Sequence, residues 1–570
     1  MNVLGIWDGH DAGAALLING RLVCAVNEER LTRRKLEISF PHRSIAACLA
    51  VAALDAAAID VVAATTSDFA KTVARFIPST KEAYYQLRRR TREPGRFARV
   101  HRRGKYAFTE WPPNFLTRSA SRLLLQRTLG RIGLSRARLE LYDHHDCHAA
   151  CAAYASGFES CLVVTIDGVG DGRAATVSRF GNQRFEPLAS TPARHSPGIF
   201  FEHVTHLLNM RELEDEGKVM ALADYASPII DSRNPMHALL RADGLGFVTS
   251  VPARRLDVPL AKILWRHSNE QFAFMAQRTL ELACAAVVEN GVRRTGERRV
   301  ALAGGVASNI KVNRRVRMLD GVEDVFVFPH MGDGGLALGA ALLASVRLHG
   351  APVLSFEDLG LGPEYSAAEI ESSLRKFRVA FRTCGDLPAA VARRLERGQV
   401  GLWFQGRMEY GPRALGHRSV LARPDRPRLR DRINLVLKRR VWYQPFCPSI
   451  LEADARSALV DFTGPANRHM TMAYQVAEEY RETLGAVVSV DGSCRPQIVD
   501  ERAPGPFTAL LHEMKRMIGI GAVLNTSFNI HGEPLVCSPE DALRVFAETD
   551  AEFLAIGPFL ATRRAEPCCD

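Results

Sequence analysis

The stretch VLGIWDGHDAGAALLINGRLVCAV, from Val3 to Val26, decides the fold. Its apolar runs are separated by Asp8-Gly9 and Asn19-Gly20, dipeptides typical of tight turns between antiparallel strands. The stretch LVVTIDGVGDGRAATVSRFGNQRFEPL, from Leu162 to Leu188, repeats the pattern and has Asp167-Gly168 in the place of Asp8-Gly9. The repeat predicts two similar α/β lobes that face one cleft. Each lobe would carry a carboxylate at a strand end, where ligands bind in open α/β sheets.

Length and composition restrict the class of protein. A chain of 570 residues predicts about two to four domains, and 47% hydrophobic with 24% charged residues is a globular composition. No apolar run is long enough to span a bilayer, and the N-terminus lacks the basic region of a signal peptide. The twelve cysteines are scattered and form no CxxC framework, which is typical of buried free thiols. We therefore expect a cytoplasmic protein without a membrane segment.

The net charge of +11 is unevenly distributed. The stretch 81–105, KEAYYQLRRRTREPGRFARVHRRGK, holds ten Lys or Arg residues against two Glu. Such a run is usually a solvated helix and loop. It also suits a surface that attracts a phosphorylated substrate or a nucleic acid, although no RRM or KH signature accompanies it.

Local patterns predict the domain organisation. Apolar residues at helical spacing predict a helix over Ser268–Asn290, with Gly291 just after its C-terminus. The stretch SPEDALRVFAE predicts a second helix, with Ser538 as N-cap and Pro539 at the first helical position. Residues 351–365 are rich in Pro and Gly and aperiodic, so we expect a linker between a domain at 1–350 and a domain at 366–570.

The stretch DHHDCHAACAAYASG places His144 and His148 four residues apart, on one face of a predicted helix. Taken alone, the pair reads most simply as capping or core histidines. Asp167 at the strand end of the second repeat and Asp333 in a glycine turn are candidates to complete a metal site. Two imidazoles and two carboxylates would suit Fe(II), Mn(II) or Zn(II).

Several polar residues of the first domain suit substrate or phosphate binding. His10 follows the first Asp-Gly turn, with Asp8 nearby, and is a candidate general base for a hydroxyl. Lys218 could pair with a phosphate, or it could be a surface lysine. Gly304 and Gly305, with Asn309 following, would let a flat ligand or a phosphate approach the backbone. Alternatively, these glycines and the asparagine form an ordinary turn between a strand and a helix and bind no ligand.

The C-terminal part concentrates arginines beside small polar side chains. Bidentate arginines and hydroxyls suit phosphates and a small planar amide. A nucleic-acid surface would use similar residues, so composition does not separate the two. The candidates are Arg413 and Arg418 in GRMEYGPRALGHRS, Lys438, Arg439 and Arg440 in KRRVWYQPFCPS, Arg495 in CRPQIV, and Asn525 and Ser527 in LNTSFNIHGEP.

The motifs HHDCH, IDG, AGGVASN, GPRALGHRS, NTSFN and GEP, in this order, resemble the O-carbamoyltransferases of antibiotic and nodulation-factor biosynthesis. The resemblance covers essentially the whole chain. It implies a two-lobed actin-like ATPase domain followed by a YrdC-like α/β domain. It also implies ATP with Mg²⁺ and iron as cofactors, carbamoyl phosphate as donor and a hydroxyl-bearing small molecule as acceptor.

The resemblance implies a role for most of the candidate residues. In the second domain, carbamoyl phosphate and ATP would give carbamoyl adenylate, whose carbamoyl group passes to the acceptor in the first domain. One position departs from the family pattern, because Gln444 stands before Pro-Phe where relatives have arginine. A neutral amide does not replace a guanidinium at a phosphate without loss, so either Arg439 or Arg440 takes its place or the carbamoyl donor is held more weakly. The implied roles are metal binding for His144, His148, Asp167 and Asp333, base catalysis for His10 with Asp8, nucleotide binding for Lys218, Gly304, Gly305 and Asn309, and binding of carbamoyl phosphate and ATP for Arg413, Lys438, Arg495, Asn525 and Ser527.

We therefore expect an ATP-dependent O-carbamoyltransferase of natural-product biosynthesis. One alternative is a fused synthase and transferase that makes threonylcarbamoyladenosine in tRNA. Another is a non-catalytic nucleic-acid binder that uses the basic stretch, although nucleic acid is not the partner that the motifs favour. The identity of the acceptor has no signature in the sequence.

Overall fold

The computed structural model describes residues 1–91, 93, 104, 106–350, 354, 356, 358–465 and 467–563, apart from the side chain at position 88. The chain divides into two compact units. The first consists of Met1–Glu28 and Leu36–Phe356, and the second of Glu29–Lys35 and Glu357–Asp570.

The first unit contains two five-stranded sheets and a two-stranded hairpin. In chain order its strands are β1 (Asn2–Trp7), β2 (Gly13–Ile18), β3 (Arg21–Asn27), β4 (Val61–Thr65), β5 (Arg138–Tyr142), β6 (Ser160–Gly170), β7 (Arg173–Gly181), β8 (Arg184–Pro192), β9 (Leu240–Asp243), β10 (Gly246–Thr249), β11 (Arg299–Ala303) and β12 (Asp324–Val327).

The two large sheets share one topology. The first has the order β3-β2-β1-β4-β5 and the second the order β8-β7-β6-β11-β12. In each, three antiparallel strands joined by hairpins are extended by two parallel strands. Asn19 and Gly20, with φ of 50° and 78°, form the turn between β2 and β3, whereas Asp167 and Gly168 lie within β6. The internal repeat and the two-lobed α/β fold predicted from the sequence are therefore confirmed.

The helices of the first unit cover the sheets and fill the space between them. The helix 336–349 packs on β1 and β4, and also on the helix 144–156, which packs on β6 and β11. A Cβ atom at Gly339 would lie 2.1 Å from the carbonyl oxygen of Cys147, so the two helices touch at their backbones. The α-helices are His42–Val51, Phe69–Phe76, Ser79–Arg88, Phe115–Arg131, His144–Ser156, Pro197–Leu207, Glu216–Leu222, Asp257–Leu264, Asn269–Thr295, Ile310–Arg317 and Leu336–His349.

The predicted helix over Ser268–Asn290 is longer than expected. It runs from Asn269 to Thr295, with Ser268 as its N-cap, and Gly296 after its end has a φ of 74°. The prediction that Gly291 follows the C-terminus is wrong, because Gly291 lies inside the helix. A Cβ atom there would lie 2.6 Å from the side chain of Leu162, so this glycine lets the helix approach β6.

The second unit is built on a mixed eight-stranded sheet of order β13-β22-β21-β14-β15-β20-β16-β19, with β17 and β18 as a separate pair. Its strands are β13 (Ala380–Thr383), β14 (Gly401–Phe404), β15 (Arg418–Ala422), β16 (Cys447–Leu451), β17 (Tyr474–Gln475), β18 (Ser493–Cys494), β19 (Gln497–Val499), β20 (Ala522–Ser527), β21 (Phe553–Ile556) and β22 (Phe559–Thr562). Its helices are Ala367–Lys376, Leu387–Glu396, Pro427–Arg432, Glu452–Ala458, Pro506–Ile518 and Pro539–Glu548, with a π-helical turn at Ile433–Leu437. It is an α/β domain, as expected.

The helix predicted from SPEDALRVFAE is confirmed. Ser538 accepts a hydrogen bond from the backbone N–H of Asp541, whose side chain returns the contact, and Pro539 is the first helical residue. In the part of the chain that the structure covers, no helix is both long and apolar enough to cross a membrane. The cysteines described are free thiols, and all but Cys384 are buried.

One segment from near the N-terminus belongs to the second unit. Glu29–Lys35 includes most of the short helix Glu28–Thr32. Arg30 donates to the carbonyl of Gly411 at 2.7 Å, and Arg33 donates to the carbonyls of Pro534 and Leu535. These contacts hold the segment against the loops of the second unit.

Candidate functional site

The helix His144–Ser156 brings two histidines together in the first unit. His144 and His148 are four residues apart, so both rings project from one face of the helix. Their Nε2 atoms are 3.2 Å apart, and each residue is only 1% exposed. The helix ends at Gly157, which has a φ of 73°.

Two carboxylates complete the group. Asp167, in β6, places Oδ2 3.2 Å from Nε2 of His144. Asp333 follows β12 and places Oδ1 3.5 Å from Nε2 of His144 and 3.6 Å from Nε2 of His148. One ligand atom from each of the four residues lies within 4.8 Å of all the others. The structure therefore brings together the four residues predicted as metal ligands.

Glycines allow these elements to approach each other closely. A Cβ atom at Gly170 would lie 2.1 Å from the ring of His144, and one at Gly305 would lie 2.8 Å from Oδ1 of Asp167. The backbone N–H of Gly305 donates to that same oxygen at 2.7 Å, which leaves Oδ2 facing the histidines. Gly304 has a φ of 95°, which favours glycine at this turn. The hydrogen bond from Gly305 thus holds the Asp167 carboxylate in place.

The charges of the group are strongly coupled. Burial alone would lower the pKa of His144, but Asp333 and Asp167 outweigh it and raise this pKa to about 9. Burial would raise the pKa of Asp167, yet its histidine neighbours hold it well below the usual range. His145, which faces Thr165 and the carbonyl of Arg173, has its pKa lowered to about 3 by burial and by His144. The two carboxylates thus favour positive charge at this point.

The donor set fits a divalent metal ion. An ion roughly 2.0–2.1 Å from each ligand places neighbouring ligand atoms about 3.0–3.4 Å apart, close to the distances found here. Two imidazole nitrogens and two carboxylate oxygens suit Fe(II), Mn(II) or Zn(II) rather than a metal that prefers thiolates. Thr66 Oγ1 lies 3.2 Å from Nδ1 of His144 and orients that ring from behind, a common arrangement for a metal-binding histidine.

His10 and Asp8 lie at the end of β1, but they have different partners. Nε2 of His10 is 3.1 Å from Oδ2 of Asp333, and the His10 side chain is 32% exposed. Asp8 is buried and binds Lys71, Arg75 and Lys81. His10 thus borders the metal-binding group, and its role as a base stays a prediction.

Sequence reasoning missed Thr66 and Asp171. Asp171 accepts hydrogen bonds from the backbone N–H groups of Ser67 at 3.1 Å and His144 at 2.8 Å, so it fixes the start of the helix with the two histidines. Its place in IDGVGDG, four residues after Asp167, is a signal that could have found it. Nothing in the local sequence marks Thr66.

The residues predicted to bind nucleotide in the first unit have protein partners. Lys218 pairs with Asp215 at 2.7 Å. Asn309 caps the helix Ile310–Arg317 and exchanges amide hydrogen bonds with Gln277, with Asn309 Nδ2 donating at 2.8 Å. Nucleotide binding by Lys218, Gly304, Gly305 and Asn309 stays a prediction.

Three guanidinium groups meet around Cys447 in the second unit. Nε of Arg495 lies 3.1 Å from Sγ of Cys447. Burial and the like charge of Arg495 lower the pKa of Arg413 to about 9. Burial also lowers the pKa of Arg440 to about 9, although Cys447 opposes the shift. Nε of Arg413 and Nη2 of Arg440 are buried without a hydrogen-bond partner in the described chain. Cations held together with unused donors form a site for an anion.

Lys438, Asn525 and Ser527 lie in the same unit and are largely engaged. Nζ of Lys438 donates to the Asn529 side chain at 2.6 Å and also to the backbone carbonyl of Ser527. Ser527 in turn donates to Asn529 at 2.7 Å. Asn525 donates to Ser449 at 2.9 Å, while its Oδ1 is buried and lacks a partner among the residues described. Lys438 thus holds the loop that follows β20.

The structure shows which arginine turns inward near Gln444. Arg439 has a φ of 49° and is exposed. Arg440 stacks over Phe446 at 4.4 Å and donates from Nε to Asn434 at 2.7 Å. Arg440 therefore supplies a guanidinium close to Gln444, whose own Oε1 is buried with no partner in the described part of the chain.

Two predicted arginine-rich features have other roles in the structure. Arg418 is fully buried, stacks over Phe404 at 3.5 Å and donates to the backbone carbonyls of Gln405 and Gly406, so it supports the loop rather than a ligand. In the basic stretch 81–105, Lys81 binds Asp8, and Arg90 donates to Asn209 at 2.9 Å. Positions 92, 94–103 and 105 of this stretch lie outside the described residues.

Comparisons with known proteins agree over both units. The family model described as Carbamoyltransferase N-terminus matches residues 2–342, and the one described as Carbamoyltransferase C-terminus matches residues 392–563. Nodulation protein NolNO of Sinorhizobium fredii is 32% identical, covering 97% of this chain and 79% of its own. The 3'-hydroxymethylcephem-O-carbamoyltransferase of Streptomyces clavuligerus is 30% identical, and the alignment covers 60% of this chain and 64% of that enzyme. The solved structure of HypF from T. kodakarensis covers 61% of this chain and 48% of its own, with 13% identity and a TM-score of 0.36.

Proposed function

The chain belongs to the carbamoyltransferase family, and from this premise we propose that it transfers a carbamoyl group from carbamoyl phosphate, with ATP, to a hydroxyl of a small metabolite. The family predicted from the sequence motifs is confirmed, because the two family models together match most of both units. The identity of the donor, the use of ATP and the nature of the acceptor belong to the proposal.

The observation that carries the transfer step is the contact between His10 and Asp333. His10 is partly exposed, whereas the metal-binding group beside it is buried. An acceptor hydroxyl bound at the end of β1 would reach Nδ1 of His10, because Nε2 faces Asp333. A histidine can act as a general base that removes the proton of a hydroxyl.

The arginine cluster of the second unit supports donor activation. Carbamoyl phosphate and the triphosphate of ATP are anions. Arg413, Arg440 and Arg495 are three neighbouring cations, and Arg413 and Arg440 each have a buried unused donor. Asn525 and Gln444 add buried amide oxygens that could accept hydrogen bonds from the carbamoyl amine. The same unit thus offers partners for both ends of carbamoyl phosphate.

The proposed reaction has two steps. First, carbamoyl phosphate, ATP and one water give carbamoyl adenylate, phosphate and pyrophosphate, so that a carbamate oxygen replaces pyrophosphate on the α-phosphorus. Second, the acceptor oxygen forms a bond to the carbamoyl carbon, the bond from that carbon to the adenylate oxygen breaks, and AMP leaves. In the second step His10 takes the hydroxyl proton.

His144, His148, Asp167 and Asp333 would hold a divalent ion, and we propose Fe(II), with Mn(II) or Zn(II) as the alternatives that the same ligands accept. Such an ion supplies a positive charge that stabilises the developing negative charge on the leaving phosphate oxygen. Mg²⁺ would accompany ATP in the second unit, since it binds through phosphate oxygens.

The proposal is tested with the full-length protein and each half-reaction. The protein should release pyrophosphate from ATP only when carbamoyl phosphate is present, and Arg413→Ala should abolish this release while Arg428→Ala, at an exposed arginine, leaves it unchanged. Mass spectrometry should then find a carbamoyl mass gain on a sugar, macrolactam or cephem alcohol. Pyrophosphate release that needs bicarbonate and threonine instead would favour the tRNA-modifying alternative. Salt-sensitive RNA binding without ATP turnover would favour a nucleic-acid binder.

A further inference from the structure

The carboxylate of Asp8 is surrounded by three cations. Its Oδ1 lies 2.9 Å from Nζ of Lys71 and 2.9 Å from Nη2 of Arg75. Its Oδ2 lies 3.1 Å from Nε of Arg75 and 3.2 Å from Nζ of Lys81. The four side chains are between 3% and 11% exposed. Buried charges are rarely found without a matching partner, so three cations around one carboxylate call for an explanation.

The cations come from two consecutive helices. Lys71 and Arg75 are four residues apart on the helix Phe69–Phe76, and Lys81 lies on the helix Ser79–Arg88. Nζ of Lys71 also lies 3.9 Å above the ring of Trp7, which meets the ring of His144 edge-on at 5.9 Å. The cation cluster, consisting of Lys71, Arg75 and Lys81, therefore borders the metal-binding group.

A second carboxylate lies close to the cation cluster. Asp68, the N-cap of the first helix, is the second carboxylate close enough to interact with Lys71 and Arg75, so three cations face two carboxylates. Arg75 also donates to the backbone carbonyls of Thr65 and Thr66. Burial is the main reason that the pKa of Lys71 is lowered to about 7; Asp8 opposes the shift, and the like charges of Lys81 and Arg75 add to it.

The two lysines have donors to spare. An ammonium group carries three N–H bonds. Within the described residues, Nζ of Lys71 has Asp8 Oδ1 as its acceptor, and Nζ of Lys81 has the Asp8 carboxylate and the Asp8 carbonyl oxygen, at 2.9 Å. Because Nζ of Lys71 also faces the ring of Trp7, each lysine can offer one further N–H bond. Because Asp8 is two residues from His10, these donors lie at the strand end that carries the proposed base.

We propose that Lys71 and Lys81, held in place by Asp8, bind a negatively charged phosphate or carboxylate group of a reactant of the transfer step. The proposal rests on the proposed function for what the reactants are. The group would be the phosphate of carbamoyl adenylate or an acid group on the acceptor. In the second case the acceptor is a hydroxyl-bearing acid rather than a neutral alcohol.

Calorimetric titration of the full-length protein with inorganic phosphate tests the proposal. The wild-type protein should bind one phosphate that Lys81→Met and Lys71→Met bind at least tenfold more weakly, since each loses a charged donor. Lys262→Met removes an exposed lysine of the same unit and should change nothing. Unfolding temperatures show whether each variant is folded. Equal stoichiometry and affinity in the wild type and both folded lysine variants would overturn the proposal.

A second measurement needs no substitution. Lysine acylation followed by peptide mass spectrometry should show that phosphate protects Lys71 and Lys81, with labelling of Lys262 unaltered. Equal labelling with and without phosphate would also overturn the proposal.

Competition identifies the source of the anion. If AMP displaces the phosphate that depends on Lys81, the site takes the adenylate phosphate. If AMP and that phosphate bind together, the site takes an acid group of the acceptor. Pyrophosphate release by the wild-type protein is measured in parallel. Its absence would contradict the proposed function and leave the phosphate-binding result standing, whereas its presence with no Lys81-dependent phosphate site would contradict this inference alone.

Discussion

Asp333 contacts His10 with one carboxylate oxygen and the metal-binding histidines with the other. Its Oδ2 lies 3.1 Å from Nε2 of His10, and its Oδ1 lies 3.5 Å from Nε2 of His144. A single aspartate thus connects the proposed base with the group that would hold a metal. In the proposed reaction this arrangement would place proton removal next to charge stabilisation.

Replacing His10 should separate the two half-reactions. In His10→Asn, carbamoylation of the acceptor should fall by roughly 10²–10⁴-fold, because a hydroxyl loses its base. Pyrophosphate release should stay near the wild-type rate, since the proposed adenylate chemistry uses residues of the second unit. His267→Asn, at an exposed histidine, is the matched control. A parallel loss of both activities would show that His10 is structural, and unchanged transfer would place the base elsewhere.

Removing both histidines should remove the metal. His144→Ala/His148→Ala leaves two carboxylates, too few ligands for tight binding of Fe(II) or Zn(II). Metal analysis of the folded, purified variant should find no stoichiometric transition metal, while the His267→Asn protein keeps it. Stoichiometric metal in the double variant would refute the ligand assignment.

Arg440 should matter for donor binding and Arg439 should not. Arg440→Met removes a guanidinium with a buried unused donor, and loss of one charged hydrogen bond costs about 1.5–3 kcal/mol. The KM for carbamoyl phosphate in pyrophosphate release should therefore rise about 10- to 150-fold. Arg439→Met changes an exposed neighbour with the same chemistry. Equal KM values in the two variants would show that Arg440 does not replace the arginine missing at position 444.

Gly339 should be required for the contact between the two central helices. A Cβ atom there would lie 2.1 Å from the Cys147 carbonyl oxygen, so Gly339→Ala should destabilise the protein by about 1–3 kcal/mol and displace the helix that carries His144 and His148. Reduced metal content should accompany the lower unfolding temperature.

Gly130→Ala is the control for Gly339→Ala. Gly130 also lies in a helix and has no atom within 4 Å of its Cβ position, so the same change should be neutral or stabilise by about 0.5–1 kcal/mol. A Gly339→Ala protein as stable as wild type would contradict the close packing.

The sequence determined the features that depend on near neighbours. The Asn19-Gly20 turn, the cap formed by Ser538 and Pro539, and the shared face of His144 and His148 follow from a two-residue turn, from local capping and from a period of 3.6 residues. The order of several motifs was specific enough to identify the family. For such features the physical cause lies within a few residues of the chain.

The tertiary structure decided what distant residues do together. Gly291 reads as a helix end, but the close approach of β6 places it inside a longer helix. From the sequence, Asp8 was expected to be a partner of His10. In the structure, both of its carboxylate oxygens bind cations from two later helices. From the sequence, residues 29–35 were expected in the first domain, but in the structure they belong to the second unit. These outcomes depend on sheet order and helix packing, which bring together residues far apart in the chain. Local sequence patterns do not predict which distant residues come into contact.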